Sequence, residues 1–242
     1  MLYIIEIPLH FAIVVSICII TLGILLLSVL SVNRASVEQR MTRLFGFLFV
    51  LFIFLMYIVF AISLVILPAN ANVIELLPIY QIIWGFAGLH GFCLIFYCLG
   101  TRYLREHKWV LILILLGGAV YVVLLLILPN PITAFAVTDG WLNYVAMPFV
   151  LVFYAAILGF IYMFLVPLFV AYRITKRTEG LEKRWIWIGW FGLFLSFLAA
   201  ILISAVQFTV PFMLYSFGLV AIAWILIGVG AVSMGLLSKT TT

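Results

Sequence analysis

Residues 173–184 read RITKRTEGLEKR, and they interrupt an otherwise apolar run that extends from Val145 to Gln207. A charged side chain costs roughly 2.5–3.5 kcal/mol at the centre of a bilayer. The five basic and two acidic residues gathered here therefore mark a watery turn between two helices rather than the middle of one. Composition says what the flanking helices are. Hydrophobic residues make up 69% of the 242-residue chain and charged ones 8%, too apolar for a domain with a solvated surface. A hydrocarbon core about 30 Å thick needs roughly 20 helical residues to cross it. Seven stretches meet that length, at about 9–32, 45–68, 79–100, 109–129, 145–172, 185–207 and 211–237. A transmembrane barrel would instead show short strands of alternating polarity, so we expect no strands. The expected fold is all-α, a single polytopic bundle of seven transmembrane helices occupying residues 1–242.

Charge gives the orientation. Arg34, Arg40 and Arg43 follow the first stretch, Arg102, Arg105 and Lys108 the third, and Arg173, Lys176, Arg177, Lys183 and Arg184 the fifth. With Lys239 these are all twelve Lys and Arg residues. The alternate loops carry only Glu6, Glu75 and Asp139. The positive-inside rule then puts the N-terminus outside and the C-terminus in the cytoplasm. The formal charge of +5 reflects this partition and not an affinity for nucleic acid. Arg173, Lys176, Arg177, Lys183 and Arg184 are candidates for contact with anionic lipid or a cytoplasmic partner. The first stretch has no basic residue before it and exceeds a signal-peptide core, so it reads as a retained helix in a multi-pass protein of the cell membrane. Cys18, Cys93 and Cys98 all fall within apolar stretches, where they serve as small packing residues. His10, His90 and His107 lie too far apart for a metal site, and we expect neither metal nor cofactor.

Small residues suggest how the helices meet. The sixth stretch places Gly192, Ser196, Ala200 and Ser204 four apart, and the third offers Gly85, Gly88 and Gly91. Such residues let backbones approach in lipid, where helix association relies on close contact. The third, sixth and seventh stretches are the expected interior. The second, FGFLFVLFIFLMYIVFAISLVIL, is bulky throughout and is expected to face lipid. Pro78 and Pro211 each precede a glycine by seven residues, and loops one and five are both basic. Helices one to three and five to seven therefore read as a candidate pair of parallel repeats around a linking fourth.

Two polar groupings are candidate ligand contacts. His90 is the one deep ionisable residue, either a hydrogen-bonded tie between helices or a ligand contact. Tyr80, Gln81, Trp84, Ser204, Gln207, Tyr215 and Ser216 share the expected outer third, beneath a loop carrying Asp139, Trp141 and Asn143. Apolar walls with a few polar groups suit an uncharged small molecule, and interfacial anchoring accounts equally well for the Trp and Tyr. No paired acids or nucleophile with a base emerge, so an enzyme is not expected.

A retinal protein is excluded, since no lysine lies within the seventh stretch. The segments GLHGFCLIFYCLGTRYLREHK (88–108), LPNPITAFAVTDGWLNYVAMPFVLVFY (128–154) and PFMLYSFGLVAIAW (211–224) resemble the seven-helix N-terminal sensory region of prokaryotic histidine kinases. In that family the membrane region continues into signalling modules, whereas this sequence ends at LLSKTTT. The resemblance implies a receptor-like sensor that binds a small ligand from outside and signals to a separate cytoplasmic protein. Two other classes remain: a small-solute transporter with a 3+1+3 helix plan, and a structural subunit of a membrane complex. Transporters of that plan use prolines within helices as hinges, and here only Pro167 is expected well inside one.

Overall fold

The computed structural model describes residues 3–66, 73–127, 136–138, 141–143, 149–205 and 218–230. Along the chain run α1 (Tyr3–Asn33), α2 (Val37–Ile66), α3 (Val73–Glu106) and α4 (Lys108–Ile127). A short hairpin of β1 (Ala136–Thr138) and β2 (Trp141–Asn143) follows. Then come α5 (Phe149–Gly159), a π-helical turn (Phe160–Leu165), α6 (Val166–Thr175), α7 (Gly180–Ala205) and α8 (Gly218–Gly230). Among the described residues, five spans are long and apolar enough to cross a membrane: Phe11–Asn33, Gln39–Ser63, Gln81–Gly100, Lys108–Ile127 and Phe153–Thr175. The chain thus has the form of a helical, multi-pass membrane protein. α7, with 26 residues, lies outside that set.

With α5, the π turn and α6 taken as one continuous helix, each helix packs antiparallel to the one before it. The ring of Phe45 stacks on Phe96 at 4.8 Å and that of Phe52 on Phe86 at 6.0 Å, fixing α2 against α3. Tyr121 covers Gly88 and Phe92 covers Gly118, fixing α3 against α4. Phe197 lies over Gly159 while Trp190 meets Phe164, so α7 runs opposite to α5 and α6. Gly192 faces Ala223 and Gly189 faces Gly230, so α8 reverses again. These reversals leave α1, α3, α5–α6 and α8 pointing one way and gather the basic turns at one end of the bundle. There Arg34, Arg40, Arg43, Arg105, Lys108, Arg173, Lys176, Arg177, Lys183 and Arg184 are all exposed.

Glycine backbone freedom shapes that end. Gly100 has φ 73° and ψ 153°, a conformation essentially closed to side-chain-bearing residues. The break separates the apolar part of α3 from its last turn, where His107 Nδ1 lies 3.1 Å from the Tyr103 carbonyl and the two rings stack. Arg43 donates to Ser31 Oγ at 2.7 Å and ties the start of α2 to the end of α1.

The largest cluster of buried side chains corrects the expectation for the second helix. Phe49, Val50, Ile53, Tyr57 and Phe60 of α2 are buried against Val14, Ile17 and Ile24 of α1, Cys93 and Leu94 of α3, and Val220 and Trp224 of α8. α2 is therefore a central helix rather than a lipid-facing one. Bulk misled because lipid tails are as apolar as Leu or Phe, so a bulky helix gains nothing by facing them. α4 carries the greater exposure, through Ile112, Leu113, Leu115, Leu116, Val122, Val123 and Leu126.

Two further departures are local. The hairpin pairs Val137 with Leu142 in antiparallel register and brings β2 alongside α1, where no strand was expected. α3 also starts six residues earlier than expected, placing Pro78 inside the helix. The π-helical turn precedes Pro167, whose ring removes an amide donor and crowds the carbonyl four residues back. A π turn absorbs that mismatch by shifting the register: the Val166 N–H bonds to the Ile161 carbonyl, five residues back. Trp190 Nε1 donates to the Phe164 carbonyl at 3.5 Å, bridging α7 to this irregular stretch.

Candidate functional site

Halfway along the Gln81–Gly100 span of α3, His90 points into the core between α2 and α8. It is 9% exposed, and its ring centroid is 5.7 Å from that of Phe49. The Phe49 ring also lies 5.8 Å, centroid to centroid, from that of Trp224, which is wholly buried. Among the described residues, neither His90 ring nitrogen has a hydrogen-bond partner, and neither has Trp224 Nε1. The Phe86 and Ala87 carbonyls, one turn back on α3, are near enough to polarise the imidazole but do not reach hydrogen-bonding geometry.

Other buried polar side chains solve the same problem locally. Thr21 Oγ1 donates to its own helix at the Ile17 carbonyl, 2.9 Å away, and Ser63 Oγ to the Phe60 carbonyl at 2.7 Å. Hydroxyls reach back one turn easily, and the His107 imidazole does so at the Tyr103 carbonyl, but the rings of His90 and Trp224 do not. His90 and Trp224 thus present a donor, and in the imidazole also an acceptor, to an interior otherwise walled by Phe49, Ile53 and Val220. Chemically, that suits a mostly apolar guest with one or two hydrogen-bonding atoms.

At the opposite end from the basic turns, Gln81 and Trp84 are half-buried on α3. The Trp84 carbonyl accepts a hydrogen bond from Tyr121 Oη of α4 at 2.9 Å, so this residue belongs to the α3–α4 seam. The side chains of Tyr80 and Ser204 lie outside the described residues, as do Gln207, Tyr215, Ser216 and Asp139. The two strands of the hairpin place Trp141 and Asn143 on β2.

The glycines divide by what a side chain would meet. A Cβ on Gly192 would lie 2.8 Å from the Ala223 carbonyl oxygen, a backbone-to-backbone approach, and one on Gly88 would strike the Tyr121 ring. One on Gly91 would make ordinary contact with Tyr162 at 3.8 Å, and Gly85 has open space around it. On α7, Ser196 is buried with Ala199, while Ala200 is exposed. At 3.6 residues per turn a strict four-residue stripe drifts around the helix, and the contact face follows it only as far as Ser196.

Sequence reasoning missed Trp224, Tyr121 and Tyr154, the last donating to the Gly117 carbonyl at 2.9 Å. The available signal was depth. Aromatics with polar atoms anchor at membrane interfaces, so a Tyr or Trp in mid-helix asks for a buried partner. Among the described residues, no group of three His, Cys, Asp or Glu side chains comes together as a metal site requires. Comparison with protein-family models, curated proteins and solved structures finds nothing that matches this chain.

Proposed function

We propose that this chain is a seven-span sensor of the cell membrane that binds a small ligand in its interior and signals to a separate cytoplasmic protein. The observation that carries this reading is His90, with two ring nitrogens buried and unpartnered beside an equally unpartnered Trp224. Leaving a buried polar group unsatisfied costs about 1–3 kcal/mol. A guest that supplies the missing donor or acceptor recovers that energy and gains differential affinity for the arrangement that exposes His90 to it.

In this reading α7 and α8 are the sixth and seventh spans. The alternating directions support it, because six reversals return α8 to the direction of α1. The N-terminus then lies outside, and the basic turns face the cytoplasm with Arg173, Lys176, Arg177, Lys183 and Arg184 free to meet a partner. The outer entrance lies at the start of α3, near Gln81 and Trp84, with Tyr80, Ser204, Gln207, Tyr215 and Ser216 as the expected rim. The proposal assigns the chain no catalytic step.

The test is native mass spectrometry of the full chain purified in mild detergent from its own membrane, as wild type and as His90→Leu, with every co-purifying protein identified. A small-molecule adduct on the wild type that His90→Leu loses, together with a stoichiometric cytoplasmic signalling protein, is the expected result. Absence of both from the wild type removes the reading. Pro167 and the adjacent π turn give the transporter alternative its own footing, since they form a hinge within a long helix. Solute uptake into proteoliposomes, lost on Pro167→Ala, separates transport from sensing.

A further inference from the structure

Beside the His90 region, α1 and α8 part to leave an open groove of about 320 Å³. Its walls are Ile20, Ile24 and Leu27 of α1 and Trp224, Gly228 and Val229 of α8. Gly228 gives the groove its depth, since a Cβ there would lie 3.1 Å from Ile24. Nothing in this lining can hydrogen-bond from its side chain except the Trp224 indole, so the occupant is hydrocarbon.

The line of the groove continues toward the basic end. Ile20, Ile24, Leu27, Ser31 and Arg34 succeed one another at alternating spacings of four and three, which places them along one face of a helix. The Arg34 N–H still bonds to the Leu30 carbonyl at 3.2 Å, so the helical register holds to that residue. Ser31 is the acceptor that holds the Arg43 guanidinium at 2.7 Å. The apolar groove therefore ends beneath two exposed guanidinium groups, one tethered and one at the helix end.

We propose that this groove and its two arginines form a site for an anionic phospholipid, with an acyl chain against α1 and α8 and the phosphate at Arg34 and Arg43. Depth agrees with the assignment. Leu27 lies two turns from Arg34, about 10 Å at 1.5 Å per residue, and Ile20 about 21 Å. A leaflet contributes about 15 Å of hydrocarbon, so a chain anchored at Arg34 runs alongside Leu27 and ends near Ile24, about 15 Å away. Charge also chooses between occupants. A second copy packed here in the same membrane orientation would bring its own Arg34 and Arg40 to this same end, like charge against like, whereas a phosphate is complementary and pairs bidentately with guanidinium.

The experiment is native mass spectrometry of the full chain in detergent with added 1-palmitoyl-2-oleoyl-phosphatidylglycerol, or with phosphatidylcholine bearing the same chains. Retention of one phosphatidylglycerol in preference to phosphatidylcholine is expected. Arg34→Gln should weaken that retention about fivefold, the effect of one basic residue at an anionic surface. Leu27→Trp, a change at a half-exposed position, should fill the groove and weaken both lipids. Thermal stability and monodispersity matching the wild type keep these variants interpretable, and Arg43→Gln repeats the charge test from α2. Equal retention of the two lipids, or unchanged retention in Arg34→Gln or Leu27→Trp, overturns the proposal. So does a dimer without bound lipid that Leu27→Trp dissociates, which would make the groove an interface between copies.

Discussion

Gly192→Ala tests the packing of α7 on α8 most directly. The added methyl would lie 2.8 Å from the Ala223 carbonyl oxygen and 3.0 Å from the Ile227 amide nitrogen, and neither backbone atom can rotate aside. The helices must separate, and overpacking of this kind costs about 1–3 kcal/mol. Against it stands the helix-propensity gain of replacing glycine by alanine, about 0.8–1 kcal/mol, so the net loss should be about 0–2 kcal/mol. Gly85→Ala supplies the control. It is also a glycine in mid-helix, yet its Cβ would meet nothing within 4 Å, so only the propensity gain of about 1 kcal/mol remains. Because both variants share the propensity gain, they should differ by the overpacking cost alone, about 1–3 kcal/mol, with Gly192→Ala the less stable. Equilibrium unfolding by SDS in mixed micelles, followed through tryptophan fluorescence, measures both. Gly192→Ala as stable as Gly85→Ala would refute the close approach of α7 and α8.

Three other substitutions probe different contacts. Tyr121→Phe removes the hydrogen bond to the Trp84 carbonyl but keeps the ring over Gly88, and should cost about 0.6 kcal/mol in the same unfolding assay, the usual size within a membrane. His90→Leu removes two unsatisfied nitrogens at similar volume, so the ligand-free protein should gain about 1–2 kcal/mol; a loss of that size would make His90 a structural tie. Pro167→Ala restores an amide donor and removes the reason for the π turn, so spin labels at Phe153 and Arg173, both exposed, should report a changed separation across it. An unchanged distance would mean that the turn does not depend on the proline.

How much of this was legible in the sequence follows from what a bilayer rewards. Length and charge could be read directly, because every apolar span must satisfy its backbone within the membrane and every arginine must leave it. The arginines of loops one, three and five accordingly gather at one end. Burial could not be read in the same way. Phe49 and Phe60 are in the core and Leu113 and Leu116 are not, yet in lipid those environments differ little for a hydrocarbon side chain. Gly85 and Gly192 look alike in sequence, and only the position of a neighbouring backbone separates them. The π turn was half visible: Pro167 signalled a disturbance, but whether it would become a kink or a register shift depends on Trp190, 23 residues on.

That register shift bears on how an event at His90 would reach the basic end. His90 touches Phe49, and Phe49 touches Trp224 on α8. α8 rests on α7 through the Gly192 backbone contact, and α7 rests on the π turn through Trp190 and Phe164. A row of contacts transmits nothing by itself; coupling needs an element with two arrangements that the ligand biases. In the proposed sensor the π turn would be that element, because converting it to α-helix would remove one residue from the turn and rotate α6 by about 100° relative to α5. α6 leads straight into Arg173, Lys176 and Arg177, so that rotation would swing the exposed basic side chains around the helix. Arg173 sits over the Phe169 ring at 5.6 Å and Lys176 over Tyr172 at 4.5 Å, contacts within the same helix that move with α6 and leave the cations on its surface in either state. Sensing through this bundle therefore requires that a guest at His90 alter the Trp190 to Phe164 hydrogen bond, and the fluorescence of Trp190, in a chain whose other tryptophans are replaced by phenylalanine, is where that requirement is met or fails.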